Sequence, residues 1–231
     1  MFSTMTTRAA PRIGRIPDAA TDFPRLLADP RVRLCAGIAT VLATGSAARR
    51  ERVGPWEAGA FRAVNSLPDS WQLPAWVVMQ LGALGAVPVA AVSAWIAGDG
   101  ELAGRLLASG VSTWGLSKVV KQIVRRPRPV ALLSATRRRG REPAGLGYLS
   151  GHAGVAVALG AAAIPRLRPA GRGLALAAIP VVGLTRVYVG AHLPLDIAGG
   201  MALGLSVEAA VEIRARIGHF PDGKRSTSPH A

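Results

Sequence analysis

Cysteine is nearly absent from this 231-residue chain. Cys35 stands alone, which excludes an intramolecular disulfide and a multi-cysteine metal site. It lies in an apolar stretch and reads as a small buried side chain of the first helix. Lysine is scarce as well, three against 25 arginines, which points to a GC-rich bacterial coding source. Acidic residues number 13 against 28 basic ones, and they form no carboxylate cluster. The first 30 residues carry Arg8, Arg12, Arg15 and Arg25 with several prolines but no apolar core. They do not form a cleavable secretory signal, and retention in a membrane is the simpler expectation. No internal repeat with paired broken helices is visible, which weakens a reading as a transporter.

What the chain does have is apolar length. Half of its residues are hydrophobic and the mean hydropathy is positive, a composition that favours a membrane protein. Apolar stretches run near 34–48, 74–97, 102–124, 152–165, 173–189 and 194–213, so the expected fold is all-α, a six-helix transmembrane bundle. A helix needs about 20 residues to cross a hydrocarbon core of roughly 30 Å, so 34–48 and 152–165 are short for the task. Gly82, Gly85, Gly199 and the Gly200/Gly204 pair would let helices approach closely in lipid. The expected division is a basic arm at 1–32, a six-helix membrane domain at 33–213 and a polar, disordered tail at 214–231, where His219 and His230 read as solvated bystanders.

A net charge of +15 invites a nucleic-acid reading. Here the charges lie between apolar spans, so no nucleic acid is expected and anionic lipid head groups are the better counter-charge. With six spans and a cytoplasmic N-terminus, the motifs described next fall at the outer ends of helices three to six. Loop charges leave this orientation open, since 14 of the 28 cations would lie inside and 14 outside or at outer helix ends.

Three fragments combine cations and histidines with the ends of apolar stretches: KQIVRRPRP at 121–129, LSGH at 149–152 and TRVYVGAHLPLD at 185–196. A phosphoryl group in transfer spreads charge over three oxygens, so a site without a metal must surround it with fixed cations and N–H donors. Lys121, Arg128 and Arg186 can supply that charge. Pro127 and Pro129 should end the helix carrying Lys121 and fold Arg128 over the same pocket on a stiff segment. In LSGH, Ser150 and the Gly151 amide precede His152 at a helix N-terminus, where free N–H groups and the dipole favour anions. In the third fragment Pro194 suits a first helical turn, which sets Asp196 one turn below His192 to accept its ring N–H. Such a carboxylate fixes the tautomer and leaves the other nitrogen free to attack. Taken singly, the first fragment also fits a basic helix end at head-group level, the second a serine cap with an incidental histidine, and the third a structural His–Asp pair.

Together the fragments resemble the type 2 phosphatidic acid phosphatase superfamily, whose signatures are KxxxxxxRP, PSGH and SRxxxxxHxxxD. Lys121 to Pro129 fits the first, Ser150, Gly151 and His152 fit three positions of the second, and Arg186, His192 and Asp196 fit the third. Leu149 replaces the family proline, which removes backbone rigidity ahead of Ser150, and Thr185 replaces the serine while keeping a hydroxyl. The resemblance implies a multi-pass enzyme of the bacterial cell membrane that hydrolyses a lipid phosphate: phosphatidic acid, phosphatidylglycerol phosphate or a polyprenyl phosphate or pyrophosphate. It implies His192 as nucleophile, Asp196 as its orienting partner and His152 as general acid then base. Lys121, Arg128, Ser150, Gly151 and Arg186 would hold phosphate oxygens, with no metal and no cofactor.

Two rivals use the same residues. His152, His192 and Asp196 could form a two-histidine, one-carboxylate metal site, although three cations would repel a divalent ion. A lipid-binding or transport bundle could use the pocket for recognition alone. The run Arg137, Arg138, Arg139 and Arg141 could favour a larger head such as a pyrophosphate, or be a solvated loop. The vanadium haloperoxidases share the family's oxyanion pocket, but they resemble longer soluble proteins.

Overall fold

The computed structural model describes residues 28–50, 52–140 and 145–218. Most of the basic arm, Arg141 and the tail from residue 219 onward, with His219 and His230, lie outside the described residues, while 214–218, expected in the disordered tail, continue the last helix. Among those described there is no strand. The helices are α1 (Pro30–Ala48), α2 (Pro55–Asn65), α3 (Gln72–Met79), α4 (Ala86–Ile96), α5 (Gly100–Val124), the one-turn α6 (Pro129–Leu132), α7 (Gly151–Ala163), α8 (Pro169–Tyr188) and α9 (Pro194–Gly218).

Local chemistry explains several boundaries. Asp29 accepts the Arg31 amide at 2.8 Å and Pro30 occupies the first turn of α1, while Asp99 caps α5 through the Leu102 amide at 2.9 Å. The α5 helix stops at Val124 because Arg125 takes a left-handed conformation (φ 57°) just before the two prolines.

At the centre, α9 packs along α1 and crosses α7, α5 lies against α7 and α4, and α8 covers α7 and α3. The crossing of α7 over α9 is backbone on backbone: a Cβ on Gly204 would meet the Gly154 carbonyl oxygen at 2.1 Å, and one on Gly200 would meet the Ser150 carbonyl at 2.3 Å. A Cβ on Gly82 would likewise meet the His152 carbonyl oxygen at 2.3 Å. Gly85 does not share that role, since open space surrounds it.

The structure departs from the expected bundle at several points. The apolar run 74–97 is not one straight span but two pieces, Asp69–Gly82 and Ala86–Ile96, bent by 63°. Among the described residues two helices, α8 and α9, are long and apolar enough to cross a membrane, and a third span exists if the bent pair counts as one. The two arginines in the first turns of α1, the 13-residue length of α7 and the charges on α5 keep the others below that standard. Helix α2 comes from a stretch with no long apolar run, organised by Pro55 at its start and by burial of Ala58 and Phe61. Cys35 is exposed rather than buried, because α1 turns Gly37 and Gly45 inward instead.

Candidate active site

The three fragments meet at one end of the bundle. Lys121 on α5, Arg128 after it, Gly151 and His152 on α7, Arg186 on α8 and His192 in the α8–α9 loop line a single cavity of about 220 Å³, with Ser117, Lys118, Gly82, Leu84 and Trp114 completing the wall. Four cations and two histidines face this space, and no described lining residue is a carboxylate. The site is therefore built for an anion.

Each side chain is held by a nameable contact. Lys121 donates to three carbonyls, Leu146 at 3.1 Å, Gly147 at 3.1 Å and Leu149 at 2.6 Å. Its protons pin the loop that leads into α7 while its charge borders the cavity. That loop is anchored further by Tyr148 and Leu149, both fully buried, and by the Tyr148 hydroxyl, which donates to the Val41 carbonyl at 2.8 Å. The rigidity that Leu149 gives up relative to proline is thus supplied by packing and by Lys121. Ser150 caps α7 through the Ala153 amide at 3.4 Å, and its own amide donates to the Asp196 carbonyl at 2.8 Å.

Arg128 follows Pro127 in extended conformation, donating from Nε to the Gly145 carbonyl at 3.1 Å and from Nη1 to the Ala191 carbonyl at 2.8 Å. The same Nη1 lies 3.3 Å from His192 Nε2, so the exposed face of the imidazole meets a guanidinium. Arg186 lies against Met79 Sδ, and its Nε finds no hydrogen-bond partner among the described residues. His192 is buried, and burial followed by the charges of Lys121, Arg128 and Arg186 holds its basicity well below the ordinary histidine range. Its resting ring is neutral, the form that can attack.

Asp196 sits where the four-residue spacing puts it, in the first turn of α9, but its nearer oxygen is 3.6 Å from His192 Nδ1, beyond hydrogen-bond reach. That oxygen accepts the Leu193 amide at 2.8 Å, a capping contact that reaches back over the helix start. The other accepts Arg126 Nη1 at 2.9 Å. Arg126 in turn forks onto Glu57 of α2 at 2.7 and 3.0 Å. Of these two buried partners, Arg126 is visible in the sequence only as a motif cation without a site role, and Glu57 is not singled out at all. The RRP step carries Arg126 in plain view, but Glu57 sits 69 residues away in an unremarkable amphipathic helix, where only its fold reveals its use.

With Asp196 engaged by Arg126 and Leu193, it does not converge with the histidines. Among the described residues no group of three His, Cys, Asp or Glu side chains could hold a metal ion. The arginine run also resolves differently from a free cationic loop. Arg139 is buried, donating to Asp69 at 2.8 Å, to the carbonyls of Asn65, Leu67 and Tyr188, and stacking over the Tyr188 ring. It ties α2 to α8, while Arg137 and Arg138 stay exposed at the rim of a hollow shared with Asp69 and Gln72.

Comparison with known proteins follows the same residues. Decaprenylphosphoryl-5-phosphoribose phosphatases from two Mycobacterium tuberculosis strains, CDC 1551 / Oshkosh and ATCC 25618 / H37Rv, are 34% identical over 101 residues, 42% of this chain and 52% of theirs. The chain thus matches about half the length of these curated relatives. The crystal structure of Aquifex aeolicus LpxE shares the fold at 18% identity, with a TM-score of 0.62 over 68% of this chain and 94% of that one. Every cavity cation, both histidines and Asp196 fall within residues 102–213, the stretch that matches the PAP2 superfamily model.

Proposed function

We propose that the protein is an integral-membrane lipid phosphatase that works through a phosphohistidine. The observation that carries this is the cavity, where four cations and two histidines face a space free of lining carboxylates and large enough for a phosphate ester. The phosphatase activity named for the mycobacterial relatives supports the same reading.

In this mechanism His192 Nε2 attacks phosphorus, and the bond from phosphorus to the lipid oxygen breaks. His152 protonates that oxygen, then takes a proton from water, whose oxygen displaces the histidine and releases inorganic phosphate. Arg128, Arg186 and the charge of Lys121 stabilise the equatorial oxygens, and the Gly151 amide lines their approach, held by the buried Ser150 cap of α7. The substrate is a phosphate monoester or pyrophosphate carried by phosphatidic acid, phosphatidylglycerol phosphate or a polyprenyl lipid. The relatives' decaprenylphosphoryl substrate favours the last class.

The membrane arrangement belongs to the proposal too. Six spans would put the cavity at the outer face of a bacterial cell membrane, with α1, α5 and α7 completing spans that their length or hydropathy alone does not make. Trp56, Trp71 and Trp76 are exposed near the cavity end, as residues of an interfacial belt would be.

Phosphate release from a panel of lipid phosphates in detergent micelles tests the function. Release by the wild-type protein that survives EDTA and vanishes in His192→Ala is the expected result. Equal release by His192→Ala would end the phosphohistidine mechanism, and lipid binding without any release would favour a recognition-only bundle.

A further inference from the structure

We infer that Glu57 is a positioning residue for His192, acting through Arg126 and Asp196 by returning to the carboxylate the negative charge that Arg126 would otherwise cancel. The inference rests on the phosphohistidine reading above and adds a residue from outside the matched domain.

The geometry is a buried chain of three charges. Glu57, Arg126 and Asp196 are 1%, 1% and 0% exposed. Arg126 Nη1 sits between two carboxylates, 3.0 Å from Glu57 Oε1 and 2.9 Å from Asp196 Oδ1, while Nη2 donates to Glu57 Oε2 at 2.7 Å. Glu57 Oε1 also accepts the Leu195 amide at 3.1 Å, so both carboxylates cap the start of α9. A cluster of two acids and one base carries one net negative charge. With Arg126 alone against Asp196, the pair would be neutral.

That difference matters for the intermediate. When Nε2 bonds to phosphorus, the ring keeps its Nδ1 proton and becomes cationic until water displaces it. The groups facing His192 from the packed elements are Lys121 of α5, Arg128 after it, Arg186 of α8, His152 of α7 and Asp196 of α9. Asp196 is the one acid among them, so among the described residues the negative charge that the protein itself offers to a cationic ring passes through the Glu57–Arg126–Asp196 chain. Burial in low dielectric strengthens this interaction. A cluster that merely fastened α2 to α9 would not require a net charge.

The test uses the full-length protein in micelles, phosphatidic acid or the fastest-hydrolysed member of the panel, and a pH series. Glu57→Gln should lower kcat about ten- to a hundredfold with KM little changed, the range seen when outer partners of metal-bound histidines are removed. It should also move the acidic limb of the kcat/KM profile to lower pH, because the imidazolium loses support. Glu57→Asp should restore both. The double variant Glu57→Gln/Arg126→Gln removes one charge of each sign and keeps Asp196 negative. It should bring the acidic limb back toward wild type and exceed Glu57→Gln in kcat, whereas a purely structural fastener requires the double variant to be the worst. An unmoved limb in Glu57→Gln, or a double variant below both single variants, overturns the inference. If the wild type is active and His192→Ala is not, either result removes the role of Glu57 and leaves the phosphohistidine mechanism standing. An active His192→Ala removes both.

Discussion

Helix α9 carries a buried ionic cluster at each end, and the two are built to opposite specifications. At its start, Asp196 belongs to a chain that borders a cavity lined by four cations. Twelve residues on, about 18 Å along the axis, Glu208 is fully buried and takes Arg33 of α1 at 2.6 Å and Arg105 of α5 at 2.5 Å. Glu212 adds a second carboxylate to both arginines and pairs with Arg216 on the surface. The far cluster faces carboxylates with arginines and joins three helices. The near one leaves positive charge facing a space. A balanced set of charges in a bundle is a fastener, and an unbalanced one awaits a ligand of the opposite sign.

The comparison predicts effects that differ in kind as well as in size. His192→Ala should cut kcat by more than about a thousandfold while leaving thermal unfolding in detergent unchanged, the signature of a group used only in chemistry. Arg186→Ala should cost about 10² to 10³ in kcat, again without loss of stability, because its guanidinium is offered to the ligand rather than to a carboxylate. Glu208→Ala should reverse the pattern. It leaves Arg33 and Arg105 to share Glu212 alone and should destabilise the fold by about 3 kcal/mol, read as a lowered unfolding temperature, with kcat of the folded fraction unchanged. If Glu208→Ala were as inactive as His192→Ala while remaining fully folded, the division between the two ends would fail.

A finer contrast comes from pH. Because burial and the surrounding cations hold His192 below the usual value of about 6.5, the acidic limb of kcat/KM should lie below that value, since protonation silences the nucleophile only at lower pH. A limb at or above it would mean that the cations do not act on the ring as the geometry implies. Smallest of all should be Arg166→Ala. Its bridges to Asp99 and Glu101 at the end remote from the cavity are partly solvated, so its loss should leave the unfolding temperature little changed.

How far the sequence carried this picture depended on the distance over which each signal acts. Pro127 and Pro129 end α5 and free Arg128 locally, and the spacing of His192, Pro194 and Asp196 is a property of one helical turn, so both were legible. The all-helical class followed from apolar length. The bend in 74–97 was not legible, because what stabilises it is the approach of Gly82 to a carbonyl of α7, a contact that no periodicity within the segment records. Glu57 was hidden for the same reason: an acid in a short amphipathic helix looks solvated until a distant arginine is folded onto it. Arg139 erred in the other direction. Four arginines in five positions suggested an anion-binding loop, and the fold spends the central one on backbone carbonyls and a tyrosine ring.

Lys121 shows what this economy of contacts demands of an individual residue. Three carbonyl oxygens converge on one nitrogen, an arrangement that suits a compact ammonium with three protons and defeats a planar guanidinium, whose donors fan out in a fixed fork. The chain writes 25 of its 28 strong cations as arginine, yet this position needs the rarer residue. An exchange usually counted as conservative would preserve the charge beside the phosphate and dismantle the wall behind it, so Lys121 is bound by its shape more tightly than by its sign.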